Sequence, residues 1–438
     1  MKRIVTLLFS NIGVKFLTIV HGIILARMLG PDQKGVYSLI LVLPSLYVAF
    51  FDLGIGQSAI RFYRSEKYNI DVIFSNIITI SLTLSVFIPI ILLAAQNPLS
   101  YFFPLIKESM YFYLTFLIYP VLLIQNYLSV FILAVNEVKK FSTFHLIKEA
   151  LALLLILILY YYKINNLTII ISVYFILNFM FTGALMITIS KKSALKWRFV
   201  SISVIKDIIK NGFKFNILSI MQWVFYKSNF VLLGFFITDA KSLGIYSVSL
   251  ALADTLFMIS SSASSIIFID ASKGLKDTVF KFDKTILNIK IIIRMMILTG
   301  ILILIFGYPA IYILYSVEYI GAYLPLFILI PANIIYSIYK LYGSQIAASL
   351  YPEKLIMATL FSMIAAVFSN LILIPILGLY GASISTLVSS FASAVSISIY
   401  YKRMKNIDYK NMFFITNSEK SYIKARVLNI FKKKVNLF

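Results

Sequence analysis

Residues 26–63 read ARMLGPDQKGVYSLILVLPSLYVAFFDLGIGQSAIRFY. One apolar segment ends at Arg27, a Leu-Gly-Pro turn follows, and a second apolar segment is interrupted by Asp52-Leu53-Gly54 before it closes at Arg61. Because Gly and Pro are the strongest breaks in a helical pattern, this order predicts a hairpin of two helices. A fainter copy begins at Leu243 and reads LGIYSVSLALADTLF, which indicates an internal duplication.

The composition places the chain in a membrane. Of its 438 residues, 61% are hydrophobic and only 13% are charged, whereas soluble domains carry about 25% charged residues. A spanning helix needs about 20 apolar residues, so the chain has room for about a dozen spans and for no large soluble domain. The chain contains no cysteine, which excludes disulfides, thiol catalysis and cysteine-ligated metals.

Apolar runs between charged residues or Gly/Pro breaks predict an all-α membrane protein with twelve transmembrane helices. Twelve spans place both termini on the same side of the membrane. The predicted spans are residues 4–28, 35–62, 73–96, 110–134, 144–162, 168–190, 212–236, 243–270, 288–314, 323–349, 355–376 and 380–401.

The distribution of positive charge predicts that both termini are cytoplasmic. The N-terminus, the even-numbered connections and the tail together carry 32 Lys and Arg residues, among them Lys148. The odd-numbered connections carry five, among them Arg27 and Lys34. Cytoplasmic loops collect Lys and Arg, so the excess marks the inner side. The net charge of +23 is explained by this topology and does not indicate a nucleic-acid partner.

The two halves of the chain correspond in sequence. Gly35-Val36-Tyr37-Ser38 matches Gly244-Ile245-Tyr246-Ser247 at an offset of 209 positions, and Pro120 matches Pro331 at an offset of 211. Six spans per half predict two parallel-repeat six-helix bundles with the substrate site between them. The predicted domains are an N-terminal bundle (1–190), a cytoplasmic amphipathic linker (191–211), a C-terminal bundle (212–401) and a basic cytoplasmic tail (402–438).

Three lysines, Lys15, Lys227 and Lys340, lie well inside predicted spans. A lysine at the centre of a spanning helix costs about 2.5–3.5 kcal/mol, so such residues usually face a polar interior. Each continues a polar stripe at helical spacing, and we expect the lysines to line a cationic cavity for a phosphate or pyrophosphate. The alternatives are snorkelling to a headgroup or pairing with a buried carboxylate. The stripes are Asn11/Lys15/Thr18/Gly22, Asn216/Ser219/Trp223/Lys227 and Tyr336/Lys340/Ser344, and the candidate carboxylates are Asp52, Asp254 and Glu149.

No metal site, cofactor or ATP-binding loop is predicted. His21 and His145 are the only histidines, and we expect them to be packed or interfacial. The chain lacks the Gly-x4-Gly-Lys-Ser/Thr phosphate-binding loop. Energy for transport would therefore come from a coupling ion, H⁺ or Na⁺, or from the gradient of the substrate itself.

The segments ARMLGPDQKGVYS and DLGIGQSAIRFY closely resemble the N-terminal hairpin of Wzx-type polysaccharide flippases, the O-antigen and capsular repeat-unit transporters of the multidrug/oligosaccharidyl-lipid/polysaccharide (MOP) exporter superfamily. The resemblance implies two bundles in a MATE-like V shape that opens alternately to each side. It implies a non-enzymatic protein of the bacterial plasma membrane that moves oligosaccharides linked to undecaprenyl pyrophosphate to the outer leaflet. Glycosyltransferases and a polysaccharide polymerase would be its functional partners.

The same resemblance implies roles for individual residues. Arg27 and Arg61 would contact the pyrophosphate or the sugar, and Asp52 would be a polar anchor of helix 2. Many relatives carry Asp on helix 7 where this chain has Asn229, which puts a proton or sodium site there in doubt. Independently of the resemblance, Asn11, Asn229 and Asp254 are further predicted polar anchors.

Three other classes of protein remain as alternatives. A cation-coupled multidrug antiporter of the same superfamily would favour carboxylates in its interior. A membrane glycosyltransferase or polymerase would need acidic catalytic motifs or a long external loop, neither of which the sequence contains. A lipid II flippase is similar but usually has two further helices.

Overall fold

The computed structural model describes residues 2–106, 110–135, 137–191, 199–273, 280–347, 352–405 and 412. These residues are almost entirely helical, and no β-strand occurs within these ranges. The helices are α1 (Lys2–Phe51), α2 (Ile55–Arg64), α3 (Ile70–Ala94), α4 (Gln96–Tyr101), α5 (Met110–Ala134), α6 (Val138–Tyr161), α7 (Leu167–Ser190), α8 (Ile202–Phe236), α9 (Ala240–Lys273), α10 (Phe280–Ala310), a π-helix (Ile311–Tyr315), a 3₁₀-helix (Val317–Ala322), α11 (Tyr323–Ala347) and α12 (Pro352–Lys405).

Nine helices in the described ranges are long and apolar enough to cross a membrane. Two of them are long enough to cross the membrane twice. The segment 12–51, for example, would be about 60 Å long as one straight helix, and the bilayer core is only ~30 Å thick. Each is broken at a glycine with positive φ, Gly30 in α1 and Gly378 in α12. With these two divided, the apolar segments number eleven.

Helix α8 supplies the twelfth predicted span. It is not among the nine, since Gln222, Lys227 and Asn229 interrupt its apolar residues. Residues 202–211, which the sequence predicts as part of a separate linker, form the first turns of this same continuous helix. Most of the predicted tail (402–438) lies outside the described residues.

The second predicted span, residues 35–62, is not one helix, because the Asp52-Leu53-Gly54 interruption seen in the sequence divides it. Helix α1 ends at Phe51, and the chain turns through Asp52, Leu53 and Gly54 before α2 begins. Leu53 and Gly54 both have positive φ, at 52° and 66°. A Cβ on Gly54 would lie 2.0 Å from the carbonyl oxygen of Gly212, so the break lets the backbone touch α8 directly.

The contacts divide the chain into two compact units. The first contains residues 1–251, 308–325 and 366–385, and the second contains residues 252–307, 326–365 and 386–438. In the first unit, α1 packs against α5, α6 and α8, and α5 packs against α3 and α7. The predicted bundles (1–190 and 212–401) and the cytoplasmic location of the termini stay predictions.

An exposed polar cluster joins the connection after α2 to the start of α8. Asp207 accepts hydrogen bonds from Lys67 Nζ at 2.5 Å and from the Tyr68 hydroxyl at 2.7 Å. The bond to Lys67 holds the pKa of Asp207 below its ordinary value, and the same bond raises the pKa of Lys67. Both groups are therefore charged across the physiological pH range.

Candidate functional site

A cavity of about 310 Å³ lies inside the first unit, where α1, α6 and α7 meet. Its apolar walls carry Leu, Val, Ile and Ala side chains, as expected inside a membrane bundle. Nine polar or ionisable side chains also line it, an unusual density for the interior of a membrane bundle. They are Thr18, His21, Lys34, Tyr37, His145, Lys148, Glu149, Tyr174 and Asn178.

An ion pair lies at the centre of this lining. Lys148 Nζ lies 3.2 Å from Glu149 Oε1, and each side chain is only 14% exposed. The other carboxylate oxygen, Oε2, accepts a hydrogen bond of 3.2 Å from the Thr18 hydroxyl. Lys148 Nζ also donates to Asn178 Oδ1 at 3.4 Å, which ties α6 to α7. Three helices thus meet in one polar network.

The two histidines border the same network. His145 Nε2 lies 3.9 Å from Glu149 Oε1, and the imidazole ring packs against Phe141 and Phe181. His21 lines the cavity from α1. The expectation that the histidines pack is therefore incomplete, because Glu149 follows His145 by four residues, which is helical spacing. The described residues hold no cluster of three potential metal ligands.

Positive charge exceeds negative charge in this cavity. Lys34 Nζ lies 5.1 Å from the centre of the Tyr37 ring, and no ion pair to Lys34 is found within the described part of the chain. The lining therefore contains two lysines and one carboxylate, an excess of positive charge even when both histidines are neutral. Such a cavity attracts an anion more strongly than a cation.

The charge count assigned the two cavity lysines to connections between spans, and the structure corrects both. Lys34 follows the Gly30 break but belongs to the second part of α1, and Lys148 lies near the middle of α6. Both residues line the cavity. The predicted span 144–162 already contains Lys148, but the charge count grouped it with Lys139 and Lys140 in the preceding connection, so it was not considered with the three interior lysines.

Two of the three lysines predicted to line a cationic cavity lie outside this one. Lys15 and Lys227 are half-buried, on α1 and α8 respectively, and neither lines the 310 Å³ cavity. Two members of the Lys227 stripe hold α8 against α1 instead. Asn216 donates to the Phe50 carbonyl at 3.3 Å, and the Trp223 indole donates to Ser45 Oγ at 3.3 Å. The stripe is thus partly a packing surface.

Lys340 lies in the second unit. Its ammonium donates to Ser261 Oγ at 2.5 Å and lies 3.5 Å from the centre of the Phe257 ring. A cation at that distance from an aromatic face gains a favourable cation–π interaction. Asp254, one turn earlier on α9, attracts the Lys340 ammonium electrostatically. The lysine is therefore held by its own unit.

The family resemblance implies roles for two arginines and one aspartate, and the structure places the arginines at the surface and the aspartate in the interior. Arg27 is exposed and donates to the carbonyls of Ile313 and Leu314, at the end of the π-helix. Arg61 is exposed on α2. Asp52 is 4% exposed and its carboxylate accepts from Asn126 at 3.2 Å, while its carbonyl accepts from Tyr127 at 2.7 Å.

Asn229 and Asn11 complete the predicted set. Asn229 is buried, and its amide donates to the Tyr246 hydroxyl at 2.9 Å, joining α8 to α9. The side chain of Asn11 lies outside the described part of α1. The binding roles of all these residues stay predictions.

Comparison with known proteins gives three findings. A family model described as "Polysaccharide biosynthesis protein" matches residues 1–272. The fold is similar to that of the lipid II flippase MurJ in an inward closed conformation, with a TM-score of 0.73 and 12% identity over 93% of this chain and 89% of MurJ. No curated protein matches the sequence.

Two further structures share the fold. One is an outward-facing multidrug resistance MATE family transporter of the MOP superfamily, with a TM-score of 0.62 and 17% identity over 92% of this chain and 95% of that chain. The other is a MOP superfamily transporter from Pyrococcus furiosus, with a TM-score of 0.60 and 16% identity over 92% and 94% of the two chains. Identities this low establish similarity of fold alone.

Proposed function

Because the chain belongs to the polysaccharide biosynthesis protein family and has the fold of MOP superfamily transporters, we propose that it is a flippase for lipid-linked oligosaccharides. It is a multi-pass inner-membrane protein. In this proposal, repeat units linked to undecaprenyl pyrophosphate pass from the cytoplasmic to the outer leaflet by alternating access. The protein moves its substrate without changing it covalently, so it is not an enzyme.

The excess positive charge of the cavity carries this proposal. The cavity lining contains two lysines, Lys34 and Lys148, and one carboxylate, Glu149, and the paired Lys148 and Glu149 side chains are each only 14% exposed. In such surroundings charges interact more strongly than in water, so a pyrophosphate is favoured. The undecaprenyl chain can stay in lipid, and only the polar head needs a route through the protein. Lys15, Lys227 and Lys340 stay proposed substrate-binding residues, each within its own unit.

The charge balance also bears on the alternative. A cation-coupled multidrug antiporter carries cationic drugs, which favour carboxylates, and the MATE transporters that share this fold are too distant to assign substrate. A surplus of lysine over carboxylate favours an anionic substrate. The coupling ion, H⁺ or Na⁺, stays a proposal, as does functional pairing with a polymerase and glycosyltransferases.

Gene deletion and complementation test the function. Deletion should abolish surface glycan and should cause a lipid-linked sugar to accumulate, measured by mass spectrometry. The wild-type gene should restore export, whereas Lys34→Gln/Lys148→Gln and Lys15→Gln/Lys227→Gln should not, at unchanged protein level. Lys139→Gln is the matched control, since Lys139 is exposed on α6. Normal glycan after deletion would contradict the function, and full export by either double variant would contradict the role of its lysines.

A further inference from the structure

The pairing of Lys148 with Glu149 is unusual for neighbours on a helix. Successive residues point about 100° apart around the helix axis, so adjacent side chains normally face different surroundings. Here both long side chains turn into the same cavity, and the ammonium and the carboxylate meet at 3.2 Å. The contact therefore depends on the cavity that the two groups share.

Glu149 is held weakly for a carboxylate that is only 14% exposed. Charge-assisted N–H···O bonds are usually about 2.7–2.9 Å long, so the 3.2 Å contact to Lys148 is at the long end. The Thr18 hydroxyl has a single hydrogen, and the Val14 carbonyl at 2.9 Å competes with Glu149 Oε2 at 3.2 Å for it. Among the described residues, the carboxylate therefore has only long contacts, to Lys148, to Thr18 and, at 3.9 Å, to His145.

Lys148 is held equally loosely. Its bond to Asn178 Oδ1 is 3.4 Å long, and its ammonium lies 5.4 Å from the Phe181 ring centre. An ammonium group has three donors and can exchange one oxygen partner for another without moving far. Lys34 supplies a second positive charge in the same cavity. A pyrophosphate in this cavity would meet two lysines, of which only Lys148 has an anionic partner within the described ranges.

We propose that Glu149 is a built-in counter-ion: its carboxylate pairs with the Lys148 ammonium until a diphosphate group displaces it. The inference rests on the proposed function and specifies the site within it: the diphosphate lies between Lys34 and Lys148, and Glu149 sets the affinity by competing for Lys148. The same competition favours release, because the returning carboxylate restores a partner to the lysine. Glu149 is thus a specificity-determining residue whose removal should tighten binding.

Diphosphate binding to the purified full-length protein tests this inference. Inorganic pyrophosphate and geranyl pyrophosphate serve as the two probes, and calorimetry gives their affinities. Glu149→Gln should tighten binding of both probes about tenfold and Lys148→Gln should weaken it about tenfold, as expected for strongly interacting groups. In the Lys148→Gln background, Glu149→Gln should have little further effect, because there is no Lys148 ammonium for the carboxylate and the diphosphate to compete for.

Glu137→Gln is the matched control. Glu137 also pairs with a lysine of α6, Lys140, at 3.3 Å, but it lies outside the cavity. The affinity of the Glu137→Gln protein for both probes should equal that of the wild type. Similar affinities for the two probes would assign the subsite to the diphosphate alone, and tighter binding of geranyl pyrophosphate would assign it to a diphosphate on a lipid carrier.

The inference is overturned if a folded Glu149→Gln variant binds no tighter than the wild type, if the tightening persists without Lys148, or if the wild type binds neither probe. Thermal unfolding of each variant in detergent establishes that it is folded. Failure of the proposed function is a separate result, since it would appear as normal surface glycan after gene deletion while the binding measurements stand.

Discussion

Gly35 and Gly244, which lie 209 positions apart in the chain, touch each other's helices in the same way. A Cβ on Gly35 would lie 2.0 Å from the Ala240 carbonyl oxygen, and a Cβ on Gly244 would lie 1.9 Å from the Pro31 carbonyl oxygen. Ala240 and Pro31 are each four residues before the glycine of their own segment, and they too are 209 positions apart. The two contacts are therefore equivalent, as expected for a duplicated helix start around a local two-fold axis.

These contacts predict that Gly35→Ala and Gly244→Ala each destabilise the protein. The added methyl group would clash with backbone atoms, which can move away only if the two helices separate. We therefore expect the free energy of unfolding to fall by at least about 2 kcal/mol. Thermal unfolding in detergent measures the effect. Gly183→Ala is the control, because a Cβ there meets no atom within 4 Å and alanine favours helix. Unchanged stability in both test variants would contradict the close approach.

The break between α1 and α2 depends on Asp52. Its carboxylate and carbonyl bind Asn126 and Tyr127 of α5. Replacing Asp52 with Ala leaves the Asn126 amide without this acceptor, and we expect a destabilisation of about 1–3 kcal/mol. Asp52→Asn keeps an acceptor oxygen and should lose much less. The comparison is made by denaturant unfolding, and equal losses for the two variants would show that charge, not hydrogen bonding, matters.

Arg27 caps the end of the π-helix. Helix C-termini leave carbonyl oxygens without partners, and the guanidinium binds two of them, on Ile313 and Leu314. Lysine keeps the charge but cannot present the same fork of donors. We therefore expect Arg27→Lys and Arg27→Gln both to reduce stability, by about 1 kcal/mol, in a thermal unfolding assay. Full stability of Arg27→Lys would indicate that only the charge is needed.

The contact between Lys67 and Asp207 should open during transport, since it joins the connection after α2 to the start of α8. The chain has no cysteine, so a Lys67→Cys/Asp207→Cys pair can be linked selectively with a short bifunctional reagent. We expect linked protein in liposomes to stop transporting and each single-cysteine variant to remain active. Full transport by the linked protein would show that this contact does not move.

The pH dependence of the same contact has two limits. Asp207 has a lowered pKa, so its contribution is present above its ordinary pKa and is lost only as pH falls through the lowered value. Lys67 has a raised pKa, so its contribution is lost only as pH rises through that value. Between roughly pH 5 and pH 9 the contact should be constant, while high salt should weaken it. Because the chain has no cysteine of its own, spin labels on two cysteines introduced beside the pair can report this distance as pH and salt are varied.

Local features of the chain predicted the helices well and the cavity poorly. The turn at Gly30 and the Gly-x-Tyr-Ser repeat depend on residues that act on their own backbone, so they are readable from sequence. The cavity depends on pairs such as Thr18 and Glu149, which are 131 positions apart. Helical periodicity shows which residues share a face, but it does not show which faces meet. Asn216 and Trp223 illustrate this, because a stripe predicted to line a cavity partly packs against α1.

Translocation in a defined membrane tests the central claim most directly. Purified protein is placed in liposomes with a prenyl-pyrophosphate-linked disaccharide, and a membrane-impermeant oxidising enzyme reports how much sugar faces outward. We predict that sugar from the inner leaflet becomes accessible over time with wild-type protein, and much more slowly with Lys34→Gln/Lys148→Gln. Accessibility that rises no faster with wild-type protein than in protein-free liposomes would contradict the account.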